Sequence, residues 1–219
     1  MGVRMRRRLV GAGLIVLFAA AVRRRIRGWG ASRRERNEAL PGDDLVPVQS
    51  QTTHGITLHA SAAEVWPWLV QMGYHRGGWY SYDWLERRVG AGDFAEGGSA
   101  TRVISELQLL AAGDTVALSQ RGGPSVALID PPRSLVLHFR MNLFTAASAR
   151  EGDRAVLDWT WAFLLNPLDD TSCRLLVRTR AGFQPAALRV LSLVIDPVQF
   201  IMERKMLRTI EQRVRHPSR

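Results

Sequence analysis

The chain has 219 residues, of which 46% are hydrophobic and 23% charged, a balance that excludes a disordered polypeptide and suits one domain plus an appendage. A single cysteine, Cys173, excludes an internal disulfide and a zinc site built from several cysteines. The net charge of +10 is not spread evenly: residues 1–36 hold eleven arginines and one acid, leaving nineteen basic and nineteen acidic residues for the rest. A neutral body offers no cationic face for a polynucleotide, so no nucleic-acid partner is expected.

The first predicted element is apolar. Fourteen uncharged residues run from Leu9 to Val22, between Arg6-Arg7-Arg8 and Arg23-Arg24-Arg25. As a helix this covers about 21 Å, short for a hydrocarbon layer of about 30 Å, although flanking arginines can snorkel. Residues 1–26 are therefore expected to form a single-pass N-terminal anchor, a transmembrane helix with the bilayer as partner. Seven arginines follow the apolar run and four precede it, which places the body on the cytoplasmic side. Two alternatives stand beside it: a cleaved signal peptide ending near Ala19-Ala20-Ala21, and a twin-arginine export signal at Arg6-Arg7. Residues 27–50 are polar and interrupted by Gly28, Gly30, Pro41, Gly42 and Pro47, the composition of a linker or a loosely docked arm.

The folded domain is expected over 51–215. Alternation over 55–60 predicts a strand, and Ser61-Ala62-Ala63-Glu64 predicts a capping box that opens a helix over 65–72, interrupted by Pro67 and ended by Gly73. The aromatic cluster Trp79-Tyr80-Ser81-Tyr82-Asp83-Trp84 leads into a short helix through Arg88. Strands are predicted at 115–119, 125–130, 134–140, 158–165 and 173–180, with Pro131-Pro132 and Asn166-Pro167 as stops. Their short connections imply an antiparallel meander. After Pro185 the chain turns helical. Asp196-Pro197-Val198-Gln199 reads as a fresh helix start, and Val198, Ile201, Met202, Met206, Ile210 and Val214 form an apolar stripe. Glu203, Arg204, Arg208 and Glu211 are assigned to the solvent face. A bent antiparallel sheet wrapped around this long helix accommodates all of these elements.

The segment Ile56–Leu69, the Gly78-Trp79-Tyr80-Ser81-Tyr82-Asp83 cluster, Thr160-Trp161-Ala162-Phe163 and Met202-Glu203-Arg204-Lys205-Met206-Leu207 resemble the SRPBCC (START/Bet v 1-like) superfamily, in particular a bacterial membrane-anchored branch. The resemblance covers about residues 50–215. It implies an α+β helix-grip fold with a cavity between sheet and long helix, used for lipids, polyketides or other apolar ligands, but no particular ligand.

Trp159, Trp161 and Phe163 alternate along one strand and share a face, so they are candidates for an aromatic cavity wall, with plain core packing as the competing reading. Met202 and Met206 face them from the long helix, and Trp66 from the first. Trp79, Tyr80 and Tyr82 are expected near the cavity mouth. His75, Tyr82 and Asp83 are the candidates for acid–base chemistry, though Asp83 also suits a helix cap and His75 a solvated loop. Arg178 and Asp158 are expected to pair across adjacent strands. No metal site or cofactor is expected: HExxH, HxH, GxSxG, GxGxxG and Walker patterns are absent. The expected function is binding or carriage of a hydrophobic small molecule at a membrane surface. The alternatives are a cyclase- or dehydratase-type enzyme on the same scaffold, and a membrane-tethered interaction module with a filled core.

Overall fold

The computed structural model describes residues 17–88 and 97–215. Residues 17–27 are helical (α1) and lead into the short α2, Arg33–Asn37. Then follow β1 (Ser50–Leu58), α3 (Ala62–Val70) and α4 (Asp83–Arg88). The meander is β2 (Ser125–Asp130), β3 (Ser134–Asn142), β4 (Val156–Asp169) and β5 (Ser172–Gln184), and α5 (Ser192–Arg215) closes the fold. The strands form one antiparallel sheet in the order β1-β5-β4-β3-β2. Met206, Leu207 and Ile210 of α5 enter the main core together with Leu175 and Val177 of β5 and Phe163 of β4. This is the expected α+β arrangement of an antiparallel sheet against a C-terminal helix.

The capping box at Ser61 is present: its hydroxyl accepts from the Glu64 backbone N–H at 3.3 Å, and Glu64 accepts from the Ser61 N–H at 2.8 Å. Two strand expectations need correction. Residues 115–119 make only isolated bridges, Thr115 with Ser125 and Ser119 with Gly122, and the Ala117 carbonyl is spent on the Tyr74 N–H. β4 does not stop at Asn166-Pro167. It runs on to Asp169 through a register shift between Pro167 and Asp169, and next to such an irregularity a missing N–H is tolerated.

The long helix differs more. Asp196 does not start it, because α5 is continuous from Ser192 with Pro197 inside. Asp196 instead lies buried beside Arg23 and Arg27, at 3.1 and 3.3 Å. Glu203, expected in solvent, is 3% exposed, whereas Val198 and Ile201, expected inside, are 49% and 52% exposed. The first half of α5 is thus turned so that Asp196 and Glu203 face the domain, because residues outside the helix supply their counter-charges.

Those partners come from the N-terminal arm and from β1. Residues 27–50 pack on the domain. Leu40 joins Val136, Ala162, Leu164 and Leu176 in a second apolar cluster on the sheet face opposite α5. Two glycines that resemble linker punctuation are close-approach positions. Gly30 (φ +69°) lies where a Cβ would sit 2.1 Å from the Gly55 carbonyl oxygen, and Gly42 (φ +83°) where it would sit 2.5 Å from Val136. Arg178, 1% exposed, donates to Asp43 Oδ2 (2.6 Å), to the Glu35 and Glu38 carbonyls and to Thr53. The expected Arg178–Asp158 pair does not form, because Arg178 stands opposite Ala162 in the ladder and Asp158 pairs with His138 at 2.7 Å.

The predicted anchor, signal-peptide and twin-arginine segments fall largely on residues 1–16, outside the described residues. Among the described residues no helix is long and apolar enough to cross a membrane.

Candidate functional site

Between the sheet and the first half of α5 lies a cavity of about 520 Å³ with an overwhelmingly apolar lining. β4 supplies Trp159 and Trp161, which share a face as alternation along a strand requires. Trp79 stacks on Trp161, with ring centroids 5.5 Å apart and planes 30° apart. From α5 come Met202 and Met206, along with Val194 and Val198.

Five of the residues expected at the site therefore line it: Trp79, Trp159, Trp161, Met202 and Met206. Four do not. Phe163 is fully buried behind Trp161, its ring 4.8 Å away, as core. Trp66 is partly buried and packs on the core from α3. Tyr80 is fully buried and its hydroxyl accepts from Gln71 Nε2 at 2.8 Å; burial holds its proton well above the ordinary phenol range. Tyr82 is half-buried with its ring 6.4 Å from Trp84.

The other two acid–base candidates are also outside the cavity lining. Asp83 ties α4 to the 97–99 segment by accepting from the Ser99 N–H (3.1 Å) and hydroxyl (2.6 Å). His75 is exposed, with its ring against Tyr74. No cluster of metal-ligating side chains occurs among the described residues.

The polar lining is not foreshadowed by any sequence pattern. Glu203 accepts from Gln199 Nε2 at 2.7 Å and meets His54 Nδ1 at 2.5 Å. The other nitrogen of His54 faces the Ile26 carbonyl at 2.9 Å. A carbonyl can only accept, so Nε2 carries a proton, and Nδ1 facing a carboxylate favours a second one. Burial alone lowers the pKa of His54, but the Glu203 charge and hydrogen bond outweigh it, and the net shift is upward.

Glu86 is the more unusual lining residue. It is 0% exposed, and neither carboxylate oxygen has a hydrogen-bond partner among the described residues. Burial first, and the neighbouring Asp83 charge second, push its carboxyl up to about 7. The Ser81 and Trp79 amides pull the other way, but neither meets hydrogen-bond geometry with it. In the sequence Glu86 precedes Arg87-Arg88 and reads as a solvated helix end, with no periodic signal to set it apart.

Four further buried polar atoms without partners among the described residues belong to the lining: the indole nitrogens of Trp159 and Trp161 and the hydroxyls of Ser81 and Thr52. An unmade hydrogen bond costs about 1–3 kcal/mol in such a place. Their collection around one cavity marks where a ligand with donors and acceptors would be held.

No protein-family model matches the chain, and no curated protein matches it. Solved structures of similar course include a conserved protein from Geobacillus kaustophilus, at 16% identity and a TM-score of 0.41, covering 76% of this chain and 95% of that one. A Mesorhizobium loti protein shows 14% identity and a TM-score of 0.42, covering 78% and 100%. Norcoclaurine synthase from Thalictrum flavum shows 15% and 0.41, covering 83% and 95%. These are likenesses of backbone course, and the chemistry of the site rests on the cavity itself.

Proposed function

We propose that this chain binds or carries a hydrophobic small molecule, lipid- or polyketide-like, in the cavity between its sheet and α5, as the resemblance to the START/Bet v 1-like superfamily implies. The observation that carries the proposal is a chamber of about 520 Å³ walled by Trp79, Trp159 and Trp161, within the range of about 300–1,000 Å³ for small-molecule sites. Affinity comes from apolar area removed from water, and selectivity from the few polar atoms in the wall. Native mass spectrometry of the undenatured protein, paired with tryptophan fluorescence titration against apolar ligands, tests it. The absence of both a co-purified molecule and any fluorescence change across a broad panel would refute it.

Action at a membrane surface is part of the proposal. Val194 and Val198 line the cavity yet are 68% and 49% exposed, and Leu193 and Ile201 beside them also face solvent. The α1 helix, with Leu17 and Phe18 exposed, is tied to this rim by Arg23, which donates to Ser192 Oγ at 2.7 Å. Such an apolar rim suits the bilayer interface. Flotation with anionic liposomes, lost on Val194→Asp with Val198→Asp, is the expected outcome; flotation unaffected by the pair would refute that role for the rim.

The enzymatic alternative has one observation in its favour, the Glu86 carboxyl near neutrality. His75, Tyr82 and Asp83 do not line the cavity with it, and the two other acids that do, Asp196 and Glu203, are held by Arg23, Arg27 and His54, so binding is the better-supported function.

A further inference from the structure

We infer that the ligand is an organic cation: an apolar body bearing a protonated amine, with Glu86 as its counter-ion inside the tryptophan-lined cavity. This rests on the cavity being a ligand site and adds the ligand's charge and functional group.

Charge matching within the cavity points to it. Among the described residues three acidic ones line the wall, Glu86, Asp196 and Glu203. Asp196 is matched by Arg23 at 3.1 Å and Arg27 at 3.3 Å. Glu203 is matched by His54 at 2.5 Å. Glu86 has no such partner among the described residues, and none of those that wall the cavity is a lysine, arginine or histidine. Its own helix also carries Asp83, Arg87 and Arg88, of which Asp83, negative like Glu86, is the charge that shifts it; Asp196 and Glu203 of α5 line the same cavity and are both already matched.

A carboxylate out of water and without a counter-charge is destabilising, and the fold supplies counter-ions to the other two acids but not to this one. An ammonium group on the ligand completes the set. The indoles favour the same charge, because the faces of aromatic rings attract cations. A neutral ligand supplies no counter-charge, so Glu86 stays partly protonated beside it, and an anionic one adds repulsion. The unpartnered indole N–H groups of Trp159 and Trp161 then serve a hydroxyl or carbonyl oxygen elsewhere on the same molecule.

The test compares three probes of one shape by calorimetry on the full chain: 2-(1-naphthyl)ethylamine, 2-(1-naphthyl)ethanol and 1-naphthylacetate. The amine should bind at least about tenfold more tightly than the alcohol, with the acetate weakest. With a carboxyl that titrates near 7 and an amine that stays protonated, amine affinity should rise about tenfold from pH 6 to pH 8. Glu86→Gln should bring the amine-to-alcohol ratio to about one. Should that variant not fold, the pH profile of the unaltered protein decides the same question. Alcohol binding equal to or tighter than amine binding, or the acetate binding best, would overturn the cation inference while leaving the cavity a ligand site. Binding of none of the three would overturn both.

Discussion

Glu86→Gln is expected to stabilise the ligand-free protein, and by an amount that depends on pH. The side chain is fully buried, its oxygens are unpartnered among the described residues, and its carboxyl is raised from 4.5 to about 7. A rise of that size corresponds to roughly 3 kcal/mol, at about 1.4 kcal/mol per pH unit. The folded chain holds the proton more tightly than the unfolded one, so the Glu86 contribution is intact below pH 4.5. It is lost as pH rises from 4.5 to about 7, and stays lost above. Glutamine is isosteric and carries no charge at any pH. Urea denaturation of both proteins at half-unit steps from about pH 4.5 to 8.5 should show the variant gaining on the parent by about 2–3 kcal/mol across that interval. A difference that stays flat with pH would refute the placement of an unpaired carboxyl in the cavity, and so would a variant less stable than the parent at pH 8.

Phe163→Ala should cost about 3–5 kcal/mol, because a fully buried ring leaves a cavity. Trp159→Phe should cost less than about 1 kcal/mol, since that indole N–H has no partner to lose among the described residues; the same denaturation series measures both. Arg178→Met removes the donor shared by Asp43 and two backbone carbonyls, and about 3–5 kcal/mol of stability should be lost with it. The raised pKa of His54 means that its pairing with Glu203 is fully present below pH 6.5 and fades as pH rises through the folded-state value. His54→Gln should therefore remove a fall in stability between neutral and alkaline pH that the parent shows, as read by thermal melts at stepped pH.

Much of the fold is legible in local pattern. Period-two alternation and the turn residues between runs place β2 with its observed bounds, and β3, β4 and β5 short only at their ends. Ser61 and Glu64 mark the start of α3 because a capping box is completed within four residues. Trp159 and Trp161 are readable as one wall for the same reason, since strand geometry alone puts them on one face. Phe163 is on that face as well, but whether a residue meets a chamber or core depends on what lies opposite, which no spacing encodes. The polarity of residues 27–50 reads as a linker or a loosely docked arm, and only the fold shows Leu40, Gly42 and Asp43 meeting the sheet at Val136 and Arg178.

Residues a few positions apart suffice to place most of the strands and helices and the antiparallel meander, and composition gives a neutral body behind an arginine-rich N-terminus. They leave open which side of α5 turns inward and which acid is left without a partner, and folding alone answers both. Glu203 meets His54 from 149 residues away and Asp196 meets Arg23 from 173, while Glu86 meets no cation at all among the described residues that wall the cavity. Desolvation and charge pairing are sums over neighbours brought together by folding, so a charged residue that looks solvated in the chain can end as an unmatched acid in an apolar chamber.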